Sequence, residues 1–191
     1  GTLYFFNWKP LRANQTMINA MQATSRNDVQ GSYKAFTDAL SLGFLGQQEI
    51  REQFIRFGVA ATAASLVPKE LKLEILQRVV REAEAGIIDQ PNDPRMYLYL
   101  AAVLNRVGLS DNAIQTLEKA RLLAPKKQQI YFELADAYFQ QQNYDRAEEI
   151  LIQALAFDTS YDTARVNLAV AYILGQKQAE ADKILIQRFQ D

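Results

Sequence analysis

The sequence contains neither cysteine nor histidine among its 191 residues. Without cysteine the chain has no disulfides, no thiolate metal sites and no cysteine nucleophile, which is compatible with an oxidising or a reducing compartment. Without histidine it lacks the commonest metal ligand and the side chain best suited to proton transfer near neutral pH. We therefore expect no metal site and no cofactor.

An excess of charge and a long apolar run are also missing. The 21 basic and 22 acidic residues give a net charge of -1. Because no basic excess is available to release counterions from a phosphate backbone, nucleic acid is not expected as a partner. The most apolar stretch, residues 57–67, is about half of the ~20 residues needed to cross a bilayer, so the chain is expected to be soluble.

The acidic residues do not form a pattern typical of catalysis. Two close pairs occur, Glu82 with Glu84 and Glu148 with Glu149. Residues one or two apart on a helix point in different directions, and an arginine near each pair indicates solvated faces. The sequence also lacks a glycine-rich phosphate loop, a nucleophile elbow and metal-ligand spacing. We therefore expect no enzymatic activity in this chain.

Apolar residues recur at intervals of three and four, which predicts an all-α protein. The N-terminal half is predicted to hold helices over 11–24, 29–42, 47–66 and 68–88, with Pro68 at the first helical position, where its missing amide costs nothing. The segment 89–94, Asp-Gln-Pro-Asn-Asp-Pro, is the clearest break in the pattern. It divides the chain into degenerate helical hairpins over 1–92 and a regular part over 93–191.

The regular part repeats every 34 residues, as Ala101, Ala135 and Ala169 show. The same step relates three further sets: Ala113, Ala147 and Ala181; Leu117, Leu151 and Leu185; Leu100, Leu134 and Leu168. A fixed period of this length indicates a helical hairpin stacked on copies of itself. The predicted units are 94–127, 128–161 and 162–191, with turns at 107–110, 141–143 and 175–176.

The sequence also predicts how the first unit begins and turns. Asp93 is placed to cap the helix that Pro94 opens, because its carboxylate can accept from an amide of the first turn. Gly108 is free to take a positive φ, and Ser110 is placed to cap the second helix.

These units resemble tetratricopeptide repeats. Tyr97 and Tyr131 stand at the family's aromatic position and Pro125 at its terminal proline, whereas Arg165 and Thr159 depart from the pattern. The resemblance implies a right-handed superhelical solenoid of antiparallel hairpins. A further repeat is indicated by the spacing of Ala20, Phe36 and Ala39, which would bring the chain to about five hairpins. A helical N-terminal domain packed against three repeats remains the alternative.

In this family the first helix of each hairpin lines a concave groove that binds a protein or peptide. The corresponding residues here are Arg95, Leu98, Ala102, Asn105, Arg106, Gln129, Phe132, Glu133, Asp136, Phe139, Gln140, Thr163, Val166, Asn167, Val170 and Ile173. The carboxylate clamp of chaperone adaptors is absent, because its positions hold Leu98, Ala102, Glu133, Thr163 and Asn167. The apolar patch in the third unit suits a capping helix, a partner segment or self-association through the C-terminal repeat.

The N-terminal stretch is similar to the region after the last membrane span of bacterial O-antigen ligase and polymerase-like proteins. The matching features are Asn7-Trp8-Lys9-Pro10, residues 36–40 and Glu49-Ile50-Arg51. The resemblance implies a fragment: the soluble, extracytoplasmic C-terminal part of a bacterial membrane protein, with residues 3–6 as the end of a membrane helix and any glycosyl transfer in the missing part. Three alternatives stay open: a free-standing adaptor in secretion, pilus or envelope assembly, a cytoplasmic location, and residues 3–6 as a hydrophobic staple.

Overall fold

The computed structural model describes residues 9–43, 47–157 and 162–186. These residues form ten helices and no strand, which confirms the predicted all-α class. The helices are α1 (Lys9–Ser25), α2 (Val29–Ser41), α3 (Gln47–Ala63), α4 (Lys69–Asp89), α5 (Pro94–Arg106), α6 (Ser110–Leu123), α7 (Gln128–Gln140), α8 (Tyr144–Phe157), α9 (Asp162–Leu174) and α10 (Gln178–Ile186). Successive helices pack in pairs, and the chain divides into two compact units, Gly1–Pro91 and Asn92–Asp191.

The second unit follows the 34-residue step of the sequence. The first helices of its three hairpins begin at Pro94, Gln128 and Asp162, and each has 13 residues. The second helices begin at Ser110, Tyr144 and Gln178, again 34 residues apart. The small residues of the repeat are buried at the helix crossings, where larger side chains would not fit: Ala101, Ala113, Ala135, Ala147, Ala169 and Ala181.

One turn geometry closes four of the hairpins. A residue with positive φ stands two positions after the end of the first helix in each: Asn27, Gly108, Gln142 and Gln176. The amide of the next residue donates to a carbonyl five residues earlier, over 2.7 to 2.9 Å, at Asp28, Leu109, Asn143 and Lys177. This is the 6→1 bond of a Schellman motif, which satisfies a carbonyl at the helix end. The positive φ predicted for Gly108 is confirmed.

The first unit opens with a hairpin of the same kind. Its turn residue, Asn27, lies 81 residues before Gly108. The same offset places Ala20, Phe36 and Ala39 at the positions of Ala101, Leu117 and Ala120, and all six side chains are buried. The α1–α2 pair therefore reproduces both the turn and the buried seam of a repeat.

The α3–α4 hairpin is built differently. Its connection, residues 64–68, contains no positive φ. Pro68 was predicted at the first helical position, but it is the N-cap residue of α4, with φ -56° and ψ 144°. α3 ends at Ala63 rather than at 66. The two helices cross closely at Gly58, where an added Cβ atom would overlap with Cγ2 of Val79.

A network of ion pairs lies inside this hairpin. Arg51, on α3, is buried; its Nε lies 3.2 Å from Oε2 of Glu82 and its Nη1 lies 2.8 Å from Oδ2 of Asp89. Arg78 contacts the other oxygen of Glu82 at 2.8 Å. The prediction that Glu82 lies on a solvated face is therefore wrong, because two arginines supply the countercharge that a buried carboxylate needs.

The helix starts of the second unit confirm one predicted cap and correct another. The Asp93 side chain accepts from the amide of Arg95 at 2.9 Å, ahead of Pro94, as predicted. Ser110 does not cap α6. It is the first helical residue, and its hydroxyl donates to Oε1 of Gln140 at 3.2 Å. The Schellman bond of the turn places Leu109 at the cap position instead.

Candidate partner-binding groove

The candidate groove is the face formed by α5, α7 and α9. The side-chain amide of Asn105, on α5, links α5 to α7. Its Nδ2 donates to the backbone oxygen of Glu133 at 2.9 Å and to Oε2 of the Glu133 side chain at 3.3 Å. Asn105 is only 4 % exposed. Its role here is to connect two hairpins.

Leu98 is likewise 4 % exposed and belongs to the hydrophobic core of the second unit. It and Asn105 were predicted to line the groove, and the structure corrects this placement for both. The reason is the packing of α7 against α5: Asn105 donates to Glu133 of α7, and Leu98 belongs to the buried cluster that includes Ile130 and Leu134 of α7. The register identified which helix face they occupy, but not how far the next hairpin covers that face.

The groove surface over α5 and α7 has a polar edge and an apolar floor. Arg106, Gln129, Asp136 and Gln140 are exposed, and Nε2 of Gln140 donates to Oδ2 of Asp136 at 3.1 Å. Arg95 is also exposed and forms an ion pair with Asp93 at 2.8 Å. The floor consists of half-buried residues, of which the two phenylalanines pack against the core: Ala102, Phe132 and Phe139.

Glu133 lies between the edge and the floor. Burial raises the pKa of its carboxyl group, and the nearby charge of Asp136 raises it further, against the hydrogen bond from Asn105 and the charge of Arg106, which lower it. A half-desolvated carboxylate of this kind interacts strongly with a donor or cation that reaches it. The repeat register predicts Glu133 in the groove, whereas the desolvation of its carboxyl group follows from the packing of α5 on α7.

The third hairpin contributes an apolar surface. Val166, Val170 and Ile173 are exposed on α9, together with Thr163, and Asn167 is half-buried beside them. Leu174 is exposed as well, although it was not among the predicted groove residues. By the 34-residue step Leu174 corresponds to Arg106 and Gln140, which were both assigned to the groove, so the register could have suggested it.

The described ranges contain neither a candidate metal site nor a candidate membrane span. No group of acidic residues in them is arranged to hold a metal ion. None of their helices combines the length and hydrophobicity needed to span a bilayer. Residues 3–6, Asn7, Trp8 and Thr159 lie outside the residues that the structure describes.

The tetratricopeptide repeat family matches the chain over residues 108–160. The match extends over 53 of the 191 residues. It covers the second helix of the first hairpin and both helices of the second, α6 to α8. No curated protein matches the chain.

Solved structures of tetratricopeptide repeat proteins and of MamA share the fold. MamA 41-end from Desulfovibrio magneticus RS-1 is 16% identical, with 94% of each chain covered and a TM-score of 0.69. A thermophilic repeat protein from Thermus thermophilus is 18% identical, with 93% of this chain and 90% of that chain covered and a TM-score of 0.63. A repeat protein from Parabacteroides merdae is 13% identical, with 94% and 66% covered and a TM-score of 0.72. These likenesses confirm the predicted fold class.

Proposed function

We propose that the chain is a non-catalytic protein-interaction domain whose partner binds the groove over α5 and α7. The observation that carries this proposal is the arrangement around the Asn105–Glu133 contact. Around this contact Arg106, Asp136 and Gln140 are exposed, and Phe139, on the same helix as Asp136 and Gln140, is half-buried. A preformed surface of this kind loses little conformational entropy when a partner binds.

The groove suits a peptide or a helix from another protein. Glu133 and Asp136 accept hydrogen bonds, Arg106 and Gln129 donate them, and Phe139 offers an apolar contact. Interfaces combine such apolar anchors with a polar rim. The proposal needs no cofactor and no chemical step.

Binding of a captured partner to groove variants tests the proposal. We expect the Phe132→Ala/Phe139→Ala double variant and Asp136→Lys to bind the partner at least about tenfold more weakly, a loss of about 1.4 kcal/mol or more. Glu180→Lys is the matched control for charge, because Glu180 is exposed on α10. Circular dichroism checks that each variant is folded. Undiminished binding by a folded double variant contradicts the proposal.

For the biological context, we propose that the domain follows the last membrane span of an O-antigen ligase or polymerase-like glycan assembly protein, where it would organise a complex. The support is the residue pattern from Asn7 to Arg51. Of these residues, Arg51 has a structural reason of its own, the buried contact with Glu82. The sequence that precedes Thr2 in the genome tests this context: several hydrophobic spans support it, whereas a lipoprotein signal or a start codon supports a free-standing adaptor.

A further inference from the structure

The third hairpin keeps exposed the face that the first hairpin buries. Leu98 and Asn105 are each 4 % exposed; Leu98 belongs to the buried cluster that includes residues of α7, and Asn105 donates to Glu133 of α7. Their equivalents 68 residues later, Val166 and Ile173, are 46 % and 48 % exposed. The surface of α9 is therefore continuous in register with an established repeat interface, and it is more apolar than the face of α5.

The second helix of the third hairpin shows the same contrast. Leu117 and Leu151 are fully buried in the first two hairpins, whereas Leu185 on α10 is 38 % exposed. Within the described ranges no further helix follows α10. Both helices of the third hairpin thus present apolar residues at positions that a neighbour covers elsewhere in the unit.

The α9 surface has the spacing of a helix-pairing seam. Thr163, Val166, Val170 and Ile173 follow one another at intervals of three, four and three residues, which aligns them on one stripe. None of them is charged. Lys177, the next residue in this series, already forms ion pairs with Asp145 and Glu148 at 2.9 and 2.7 Å.

An uncharged stripe can pack against the same stripe of a second copy without like-charge repulsion. In a two-fold contact the same surface patch meets on both subunits, so a charge near the axis faces its own kind. The equivalent faces of α5 and α7 carry Arg95, Arg106, Glu133 and Asp136 and would meet this penalty. The face of α9 is free of it, because Thr163, Val166, Asn167, Val170, Ile173 and Leu174 are all neutral.

A head-to-tail contact between copies is disfavoured by the chemistry of α1. In α7, Ile130 and Leu134 are fully buried in the core cluster that α7 shares with the preceding hairpin. By the repeat register the corresponding residues of α1 are Gln15 and Asn19, which are exposed and hydrogen-bonded to each other at 3.2 Å. At these two register positions α1 therefore presents amides, where α7 presents the apolar Ile130 and Leu134, although Ile18 beside them is exposed.

We propose that a second copy of this chain covers α9, through an antiparallel two-fold contact between the α9 helices, with Leu185 of each copy at the edge. The contact buries Val166, Val170 and Ile173 and leaves the groove over α5 and α7 to the partner. It does not depend on the groove function, and a Phe132→Ala/Phe139→Ala variant still forms the dimer.

Sedimentation velocity tests the proposal over micromolar to hundreds of micromolar protein. We expect the chain to sediment as a dimer and Val170→Glu to sediment as a folded monomer. Leu122→Glu is the matched control, because Leu122 is 84 % exposed on α6, and this variant remains a dimer. A chain that is monomeric at every concentration, or a Val170→Glu variant that stays dimeric, overturns the proposal; a monomer would assign the face to a helix of another protein.

Cysteine pairs test the two-fold geometry directly, since the chain has no cysteine of its own. In a Val166→Cys/Val170→Cys variant, the axis brings either residue 166 opposite 170 or residue 170 opposite itself. We expect mild oxidation to give a disulfide-linked dimer on a non-reducing gel. The control, Gln115→Cys/Lys119→Cys, places the same spacing on an exposed stretch of α6 and remains monomeric on the gel. Equal crosslinking of the two variants overturns the proposal.

Discussion

The α3–α4 and α7–α8 hairpins are both pairs of packed helices, but they differ in the residues between the helices and in the backbone of the connection. In α7–α8, the buried Ala135 and Ala147 lie in the seam and the turn contains Gln142 in a left-handed conformation. In α3–α4, the seam contains Gly58 against Val79, the ion pairs of Arg51 replace part of the apolar contact, and the connection has no left-handed residue. The α7–α8 hairpin is thus specified by small residues that recur with the repeat, whereas the α3–α4 hairpin is specified by contacts that occur once, such as those of Gly58 and Arg51.

The cores beside these hairpins differ in the same way. α2 and α3 meet through a cluster of rings in which Phe36 and Phe57 have centroids 5.3 Å apart and Phe36 and Phe54 have centroids 5.9 Å apart. Between α7 and its neighbours the buried side chains are chiefly leucine, isoleucine and alanine. Aromatic clusters depend on a particular geometry of rings, whereas the alanine seam recurs wherever the register places it.

Removing the arginine at the centre of the α3–α4 network should have the largest effect. Arg51→Met leaves Glu82 buried with only Arg78 as a partner, and we expect the free energy of unfolding to fall by about 3 kcal/mol. Urea denaturation measures it. The double variant Arg51→Met/Glu82→Leu should recover much of the loss, because no charge is then left buried.

A surface ion pair provides the control for this experiment. Lys34 and Asp38 lie 2.9 Å apart on α2, and both are exposed. We expect Lys34→Met to change the free energy of unfolding by less than about 0.5 kcal/mol. Equal effects at the two sites would show that the Arg51 network contributes no more than a surface pair.

Overpacking the alanine seam should rank next. Ala135→Leu places three more carbon atoms at a crossing that has no space for them, and we expect a loss of about 1 to 3 kcal/mol. The matched control is Gln153→Leu, on the exposed face of α8. An unchanged urea midpoint for Ala135→Leu would contradict the assigned register.

Exchanging turn residues should have smaller effects of opposite sign. Gly108 has φ 79°, and an added methyl group would meet open space, since no atom lies within 4 Å of where its Cβ would stand. Gly108→Ala should therefore cost about 1 kcal/mol through backbone strain alone. Gln142→Gly should stabilise the protein by up to about 1 kcal/mol, because glycine adopts its φ of 57° without that strain. Thermal unfolding measures both, and effects of the same sign would contradict this account.

The smallest effect concerns Glu133, whose side chain is half-buried and accepts a hydrogen bond from Asn105, whereas Glu82 is ion-paired with two arginines. Burial raises the pKa of the Glu133 carboxyl group. A raised pKa means that the folded state binds its proton more tightly, so stability falls as pH rises from the unfolded pKa to the folded one. We expect Glu133→Gln to stabilise the protein at neutral pH and to lose this advantage when the pH falls below about 4. A difference from the wild type that is independent of pH would contradict the assignment.

The parts of the fold that could be predicted from the sequence are those that repeat along it. The three hairpins of the second unit could be placed because alanine and leucine recur at one interval, and each copy supports the others. The α3–α4 hairpin could not, since the contacts of Arg51 and Gly58 occur once and link residues about 20 to 40 positions apart. The prediction that Ser110 caps α6 was wrong for a local reason: the preceding turn determines where the helix begins, and it makes Leu109 the N-cap residue.

The candidate groove shows the same limit. The register placed Leu98, Asn105 and Glu133 on the face of the first helices, but only the packed structure shows that α7 covers Leu98 and Asn105 and partly desolvates Glu133. Exposure is a property of two neighbouring hairpins together, and neither sequence segment contains it alone.

By itself, the sequence determined that the chain is all-α, where the hairpins of the second unit begin, and which small residues lie at the crossings, because helix periodicity and side-chain volume are local properties. Tertiary structure decided the burial of Arg51 with Glu82, the cover over Leu98, and the exposed apolar stripe on α9. These depend on which surfaces meet. A surface is buried only when another element of matching shape and charge lies against it.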